Sequence, residues 1–198
     1  ASPTIWTLDR RTFLGHAIAL TAAAIAPLPR FLRERGWLDA AHAAEPDLVR
    51  DTLNGLVAFI VPGPDEYSVA QGQSTTEPGG LDAGTTDALI ATAEGALPTA
   101  STLLSTLLND FAQTINPTSS GPFVSHFARL SFAEKGQVFA ALEAIPPLSF
   151  LMGTVPSLVA FLAYSEVGVL HPATRTLSGT PGGWALSGDG GVAGGDAG

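Results

Sequence analysis

The chain has 198 residues, 45% of them hydrophobic and only 14% charged, with a net charge of −9. That length suits one domain plus an N-terminal extension, and an apolar, charge-poor body folds instead of remaining disordered. Cysteine is absent, which excludes disulfides, thiolate metal sites, iron–sulfur clusters, covalent haem and cysteine nucleophiles within this chain.

Charge is unevenly placed. Residues 1–43 hold five Arg against three acids, leaving four basic and fifteen acidic residues downstream, a net charge of −11 there. Those four, Arg50, Arg129, Lys135 and Arg175, are far apart in sequence. Nucleic-acid binding needs basic side chains gathered in a patch to replace counterions on phosphates, so no nucleic-acid partner is expected.

The first segment, Asp9-Arg10-Arg11-Thr12-Phe13-Leu14, resembles the twin-arginine export consensus, with Arg10, Arg11, Phe13 and Leu14 as the residues read. The uncharged run from Phe13 to Pro27 is Ala-rich and shorter than the roughly 20 apolar residues of a comfortable membrane span. A weakly hydrophobic run behind paired Arg favours the twin-arginine route over the general secretory one. The competing reading is an amphipathic or buried first helix. Ala41-His42-Ala43 before Ala44 has the small-x-small form of a leader-peptidase site. Cleavage after Ala43 is preferred, with retention of the amphipathic "RFLRERGWLDA" as a membrane-surface anchor as the alternative. Residues 1–43 are therefore read as a signal region, 44–171 as a helical domain and 172–198 as an irregular Gly-rich segment.

From Pro46, the positions Val49, Leu53, Leu56, Val57 and Ile60 fall on one helical stripe, and Pro62-Gly63 ends it. Residues 62–81, "PGPDEYSVAQGQSTTEPGGL", read as a long loop in which Tyr67, Val69 and Gln71 give something to dock with. Helices are predicted from about Asp82 to Leu97 and from Ser101 to Ile115, the second with a stripe of Leu104, Leu107, Leu108, Phe111 and Ile115. Ser131-Phe132-Ala133-Glu134 is a capping-box pattern opening a helix to about Ala144 that buries Val138, Phe139 and Leu142. The apolar segment from Pro147 to Tyr164 contains Pro156, which predicts a kink or a division. Its length, its Gly153, Thr154, Pro156 and Ser157, and its lack of flanking Lys or Arg favour a core helix over a membrane span. The fold class is mainly α, a compact helical domain with long irregular loops.

The residues offer little local chemistry. His16, His42, His126 and His171 lie in no metal-binding spacing, and neither a Gly-x-Ser-x-Gly elbow nor a phosphate-binding Gly loop is present. The acids Asp65, Glu66, Glu77, Asp82 and Asp87 lack the alternating spacing of a calcium loop. No catalytic, cofactor-binding or metal residue is therefore nominated. The aromatics in irregular regions, Tyr67, Phe123, Phe127 and Trp184, either plug their own core or anchor a protein partner; with Val69 and Gln71 they form the candidate partner interface.

Three blocks, "DLVRDTLNGLVAFIVPGPDEYSVAQG", "NPTSSGPFVSHFARLSFAEK" and "GGWALSG", resemble the gluconate 2-dehydrogenase subunit 3 family. The likeness runs from about Asp47 to Ser187 and is nearest to an actinobacterial branch that carries twin-arginine signals. The eight Arg against one Lys fit a GC-rich genome of that kind. The resemblance implies a non-catalytic small subunit of a large FAD-dependent oxidoreductase of the glucose–methanol–choline type. Such a subunit holds no cofactor, FAD residing in the partner, and it assists the partner's folding or stability and its export by the twin-arginine translocase. The expected location is then beyond the bacterial inner membrane, extracellular or in the cell envelope. The Gly-rich end "GDGGVAGGDAG" departs from the charged, aromatic continuation such a subunit would carry after Trp184. The alternative is a free-standing exported enzyme or ligand-binding protein whose site is assembled from distant residues.

Overall fold

In a computed structural model, the structure describes residues 28–165 together with 170–171, 176–177 and 186. Among the described residues eight helices follow one another, α1 Leu28–Glu34, α2 Trp37–Ala43, α3 Pro46–Ile60, α4 Glu66–Ala70, α5 Thr85–Ala96, α6 Ala100–Ile115, α7 Phe132–Glu143 and α8 Pro146–Tyr164. A two-residue antiparallel pair, β1 Leu170–His171 with β2 Thr176–Leu177, comes after them. The chain is mainly α, as the helical periodicities require.

α6 is the hub, packing against α2, α3, α5 and α7. Its buried Leu103, Leu104, Leu107, Leu108 and Ala112 spread around more than one face, because helices cover it on several sides. α3 is similarly surrounded: Pro46 opens it at the first helical position, and Val49, Leu53, Leu56 and Val57 are joined in burial by Thr52, Gly55 and Ala58. The capping box forms as predicted, Ser131 Oγ accepting from the Glu134 amide while Glu134 accepts from the Ser131 amide at 2.9 Å. Val138 and Leu142 are fully buried and Phe139 is half-buried.

The body begins earlier than residue 44, where the sequence expectation placed its start. Leu32, Trp37 and Ala41 belong to the main core, and the Trp37 indole donates to Asp110 on α6 at 2.7 Å. Cleavage after Ala43 would strip these side chains from the core and leave Asp110 without its donor. Ala41 is buried, whereas Ala43 and Ala44 sit at the end of α2. Of the kink or division expected at Pro156, the division does not occur, since α8 runs as one helix through it. An interior proline costs about 3 kcal/mol, since it gives no N–H to the carbonyl four residues back. The buried Leu148, Met152, Val155, Val159 and Leu162 line both sides of that point, and at about 1.5–3 kcal/mol each they outweigh the break.

The segment 62–81 is not a bare loop. Asp65 caps α4, accepting from the Ser68 amide at 2.9 Å and its hydroxyl at 2.8 Å. The segment then folds back on its own start, with Thr75 N–H on Gly63 O at 3.0 Å and Gly80 N–H on Val61 O at 2.9 Å. The crossing is so close that a Cβ on Gly79 would stand 2.6 Å from Gly63 Cα. Only glycine permits this approach, which is why the Gly-rich composition here marks order.

Candidate functional site

The two irregular segments, 62–81 and 116–131, meet over α3, α6 and α7. Asp51 on α3 joins them. One carboxylate oxygen accepts from the Tyr67 hydroxyl and the other from the Ser125 amide, each at 2.7 Å. Asn54, one turn along, donates to the Tyr67 oxygen at 3.3 Å. Burial pushes the Tyr67 phenol up to about 12, with the negative charge of Asp51 adding to the shift.

Beneath this lies a polar cluster inside the core. Thr52 donates back to Leu48 O at 2.6 Å and accepts from Ser105 Oγ at 2.9 Å and from Asn109 Nδ2 at 2.7 Å. Asn109 Oδ1 accepts from Ser125 Oγ at 2.9 Å and from the Phe127 amide at 3.2 Å, and Ser125 Oγ accepts from the Ala128 amide at 3.1 Å. Thr52, Ser105 and Ser125 have no exposed surface. Each is satisfied by its neighbours, as buried polar groups must be, and together they fix the backbone of 125–128 against two helices.

Lys135, the chain's only lysine, completes the arrangement. Its side chain is fully buried, Nζ donating to Gln71 Oε1 at 2.8 Å and Gly55 O at 3.2 Å, with the Phe127 ring 5.4 Å away. Gln71 in turn donates to Ala58 O at 2.7 Å. Removal from water pushes the ammonium down to about 7, opposed by the charge of Asp65. So α7, α3 and the 62–81 segment are tied at a second point.

These contacts correct the role read for four sequence-nominated interface residues. Tyr67 and Phe123 stack on each other at 4.3 Å in a small core of their own with Ala58 and Ala128. Phe127 is fully buried and Gln71 nearly so. Their surfaces are used inside the chain, because the segments carrying them lie flat on the helices. Val69 stays available, at 59% exposure. The flanking positions Val124 at 61% and Phe132 at 40% join it as exposed apolar side chains of the same region. Arg129 holds the carbonyls of Phe123 at 2.6 Å and Val124 at 3.0 Å, fixing how Val124 is presented. Arg10, Arg11, Phe13, Leu14 and Trp184 lie outside the described residues.

Tyr67→Phe keeps the stack and removes the hydroxyl that donates to Asp51 and accepts, at longer range, from Asn54. A hydrogen bond to a charged acceptor is worth about 1.5–3 kcal/mol, so the isolated variant should lose about that much unfolding free energy, read as a lower urea midpoint. An unchanged midpoint would mean that this bond contributes nothing to the fold.

Sequence reasoning missed Asp51, Thr52, Ser105, Asn109, Ser125 and Lys135. For Lys135 a signal exists, since it shares the spacing of Val138, Phe139 and Leu142 and therefore their buried face. Asp51, Thr52, Ser105 and Asn109 are single polar residues on apolar helices, ordinarily read as solvent-facing, and Ser125 lies in an irregular segment with no period to read.

A separate cleft of about 330 Å³ lies where α3, α5 and α6 meet, walled by Ala44, Pro46, Val49 and Ile90 with Arg50 and Glu94 at its polar side. Arg50 also pairs with Asp87 at 2.8 Å. Glu94 grips the start of α6, accepting from the Thr99 and Ser101 amides at 2.7 and 3.1 Å and from the Ser101 hydroxyl. These donors hold its carboxyl below the ordinary range, the Ser101 hydroxyl contributing most. Thr99 sits at φ 70, a strained backbone for a β-branched residue. Among the described residues, no group of three His, Asp or Glu could hold a metal ion. Comparison with protein-family models, with curated proteins and with solved structures gives no match for this chain.

Proposed function

We propose that this chain is an exported, non-catalytic small subunit that binds a large FAD-dependent dehydrogenase or oxidase of the glucose–methanol–choline type. In this role it supports the partner's folding or stability and carries it to the twin-arginine translocase through Arg10 and Arg11. One observation carries the reading. The two blocks that hold most of the family resemblance lie apart in sequence, yet they meet as one surface, joined through Asp51–Ser125, Tyr67–Phe123 and Gln71–Lys135. A surface held by so many internal bonds binds without the ordering cost that a floppy loop would incur. Val69, Val124 and Phe132 supply its apolar contacts. The packing of α1 and α2 in the core supports a signal confined to residues before Leu28, with both helices kept in the working subunit.

The test is co-expression with a large FAD-dependent oxidoreductase of the glucose–methanol–choline type from the same organism. Wild type should copurify with the flavoprotein and bring it across the membrane. Val69→Asp combined with Val124→Asp should weaken the complex at least about tenfold without unfolding the subunit, since both side chains are exposed. Arg10→Lys with Arg11→Lys should stop export of both chains, because Lys keeps the charge and loses the forked donors. A flavoprotein exported and fully active without this chain would sink the proposal.

The second reading, a ligand-binding protein, has the Arg50–Glu94 cleft and the strained Thr99 beside it in its favour. Small molecules that raise the melting temperature of the isolated chain, with the effect abolished by Arg50→Ala, would favour it.

A further inference from the structure

The 19 residues of α8 include no Asp, Glu, Lys or Arg, in a chain of net charge −9. One side is committed to the core through Leu148, Met152, Val155, Val159, Leu162 and Ala163. The other exposes Phe150 at 49%, Phe161 at 61% and Tyr164 at 56%, with Gly153, Thr154 and Ser157 also exposed between the two Phe rings. At 3.6 residues per turn, Phe150 and Phe161 are about three turns apart and within about 20° of the same direction. Thr154 and Ser157 fall between them on that stripe, and each is the mirror of the other about the point midway between the two Phe.

We propose that α8 is the interface of a two-fold symmetric homodimer, in which a second copy of this chain lays its own α8 antiparallel on this face. In a two-fold interface, residue i of one copy meets residue j of the other and j meets i. The spacing on α8 satisfies this with itself. Phe150 of each copy packs on Phe161 of the other, and Thr154 meets Ser157 twice at the crossing. The small Gly153, Thr154 and Ser157 let the two axes approach closely there, while the Phe rings close both ends.

The self-matching register selects the second copy as occupant, and charge permits it. Two chains of this acidity repel wherever their carboxylates face one another, and α8 itself contributes none. Area agrees. The three aromatics expose about 300 Å² per copy, and complete burial of the stripe in both copies, small residues included, comes to roughly 1,000 Å², the lower bound for a specific interface. The surface is distinct from the one carrying Val69 and Val124, and the dimer does not rest on the flavoprotein proposal.

The experiment is light scattering coupled to size exclusion on the purified chain over about 5 to about 500 µM. Wild type should pass from monomer to dimer within that range. Phe161→Glu and Phe150→Lys should each weaken the dimer at least about 30-fold, which is the loss of a hot-spot contact. Circular dichroism should show both folded, since both positions face solvent. An equimolar mixture of the two variants should dimerise again, because the antiparallel register sets the introduced acid against the introduced lysine and leaves the other Phe–Phe contact whole. A wild-type monomer throughout, a dimer indifferent to Phe161→Glu, or a mixture that stays monomeric would each overturn the proposal. So would a wild-type monomer that sediments with phosphatidylcholine vesicles and loses this through Phe161→Glu, since the face would then belong to lipid.

Discussion

Between about pH 6 and about pH 9 the folded chain should gain roughly 3 kcal/mol of stability from Lys135, and Lys135→Met should abolish that gain. The buried amine is pushed down from 10.5 to about 7 by loss of water. In the unfolded chain it titrates near its ordinary value. Between those two values the unfolded chain binds a proton that the folded chain does not, so stability rises with pH across the window. Below about 7 the amine is charged in both states, and the full cost of burying that charge is felt. Met keeps the apolar stem and lacks the charge, but it leaves Gln71 Oε1 without its donor at about 1–3 kcal/mol. The variant should therefore be more stable than wild type by roughly 3 kcal/mol near pH 6 and about equal to it near pH 9. Urea unfolding of both proteins at several pH values checks this, because all other titrating groups are shared. Parallel stability curves would show that Lys135 does not titrate within the window.

Asn109→Ala should cost about 3 kcal/mol, more than its volume alone would suggest, because of what it leaves behind. Asn109 is the one side chain that receives both Ser125 Oγ and the Phe127 amide while giving to Thr52 and to Ser105 O. Without it the Phe127 amide and the Thr52 and Ser125 hydroxyls lose partners in a place water does not reach. The damage should be local first. Hydrogen exchange at the Phe127 and Ala128 amides should accelerate at urea concentrations where α6 and α8 remain protected. Uniform loss of protection across the chain would mean that the cluster is part of the global core and does not serve as a clamp on the 116–131 segment.

The clamp shows where sequence and structure part. Apolar stripes at helical spacing, the capping box at Ser131 and Glu134, the stop at Pro62-Gly63 and the proline at the start of α3 are local facts. They dictated five long helices nearly to the residue, because hydrogen bonds within a helix and its caps join residues no more than four apart. α4 escaped because five residues carry too little periodicity, although the Asp65 cap is written in the sequence. Tyr67 and Phe127 look alike to a sequence reader whether they face a partner or a core, since an aromatic in an irregular segment has no period to betray its direction. What decided it was the Asp51 carboxylate meeting Ser125, 74 positions away, and Lys135 meeting Gln71, 64 away. Thus the sequence by itself determined the helices and their ends, together with the charge-poor character of α8. Only the tertiary structure decided which polar residues lie inside, which of the loop aromatics are spent internally, and that α1 and α2 belong to the core. Burial is a property of what arrives from elsewhere in the chain, and no local pattern encodes that arrival.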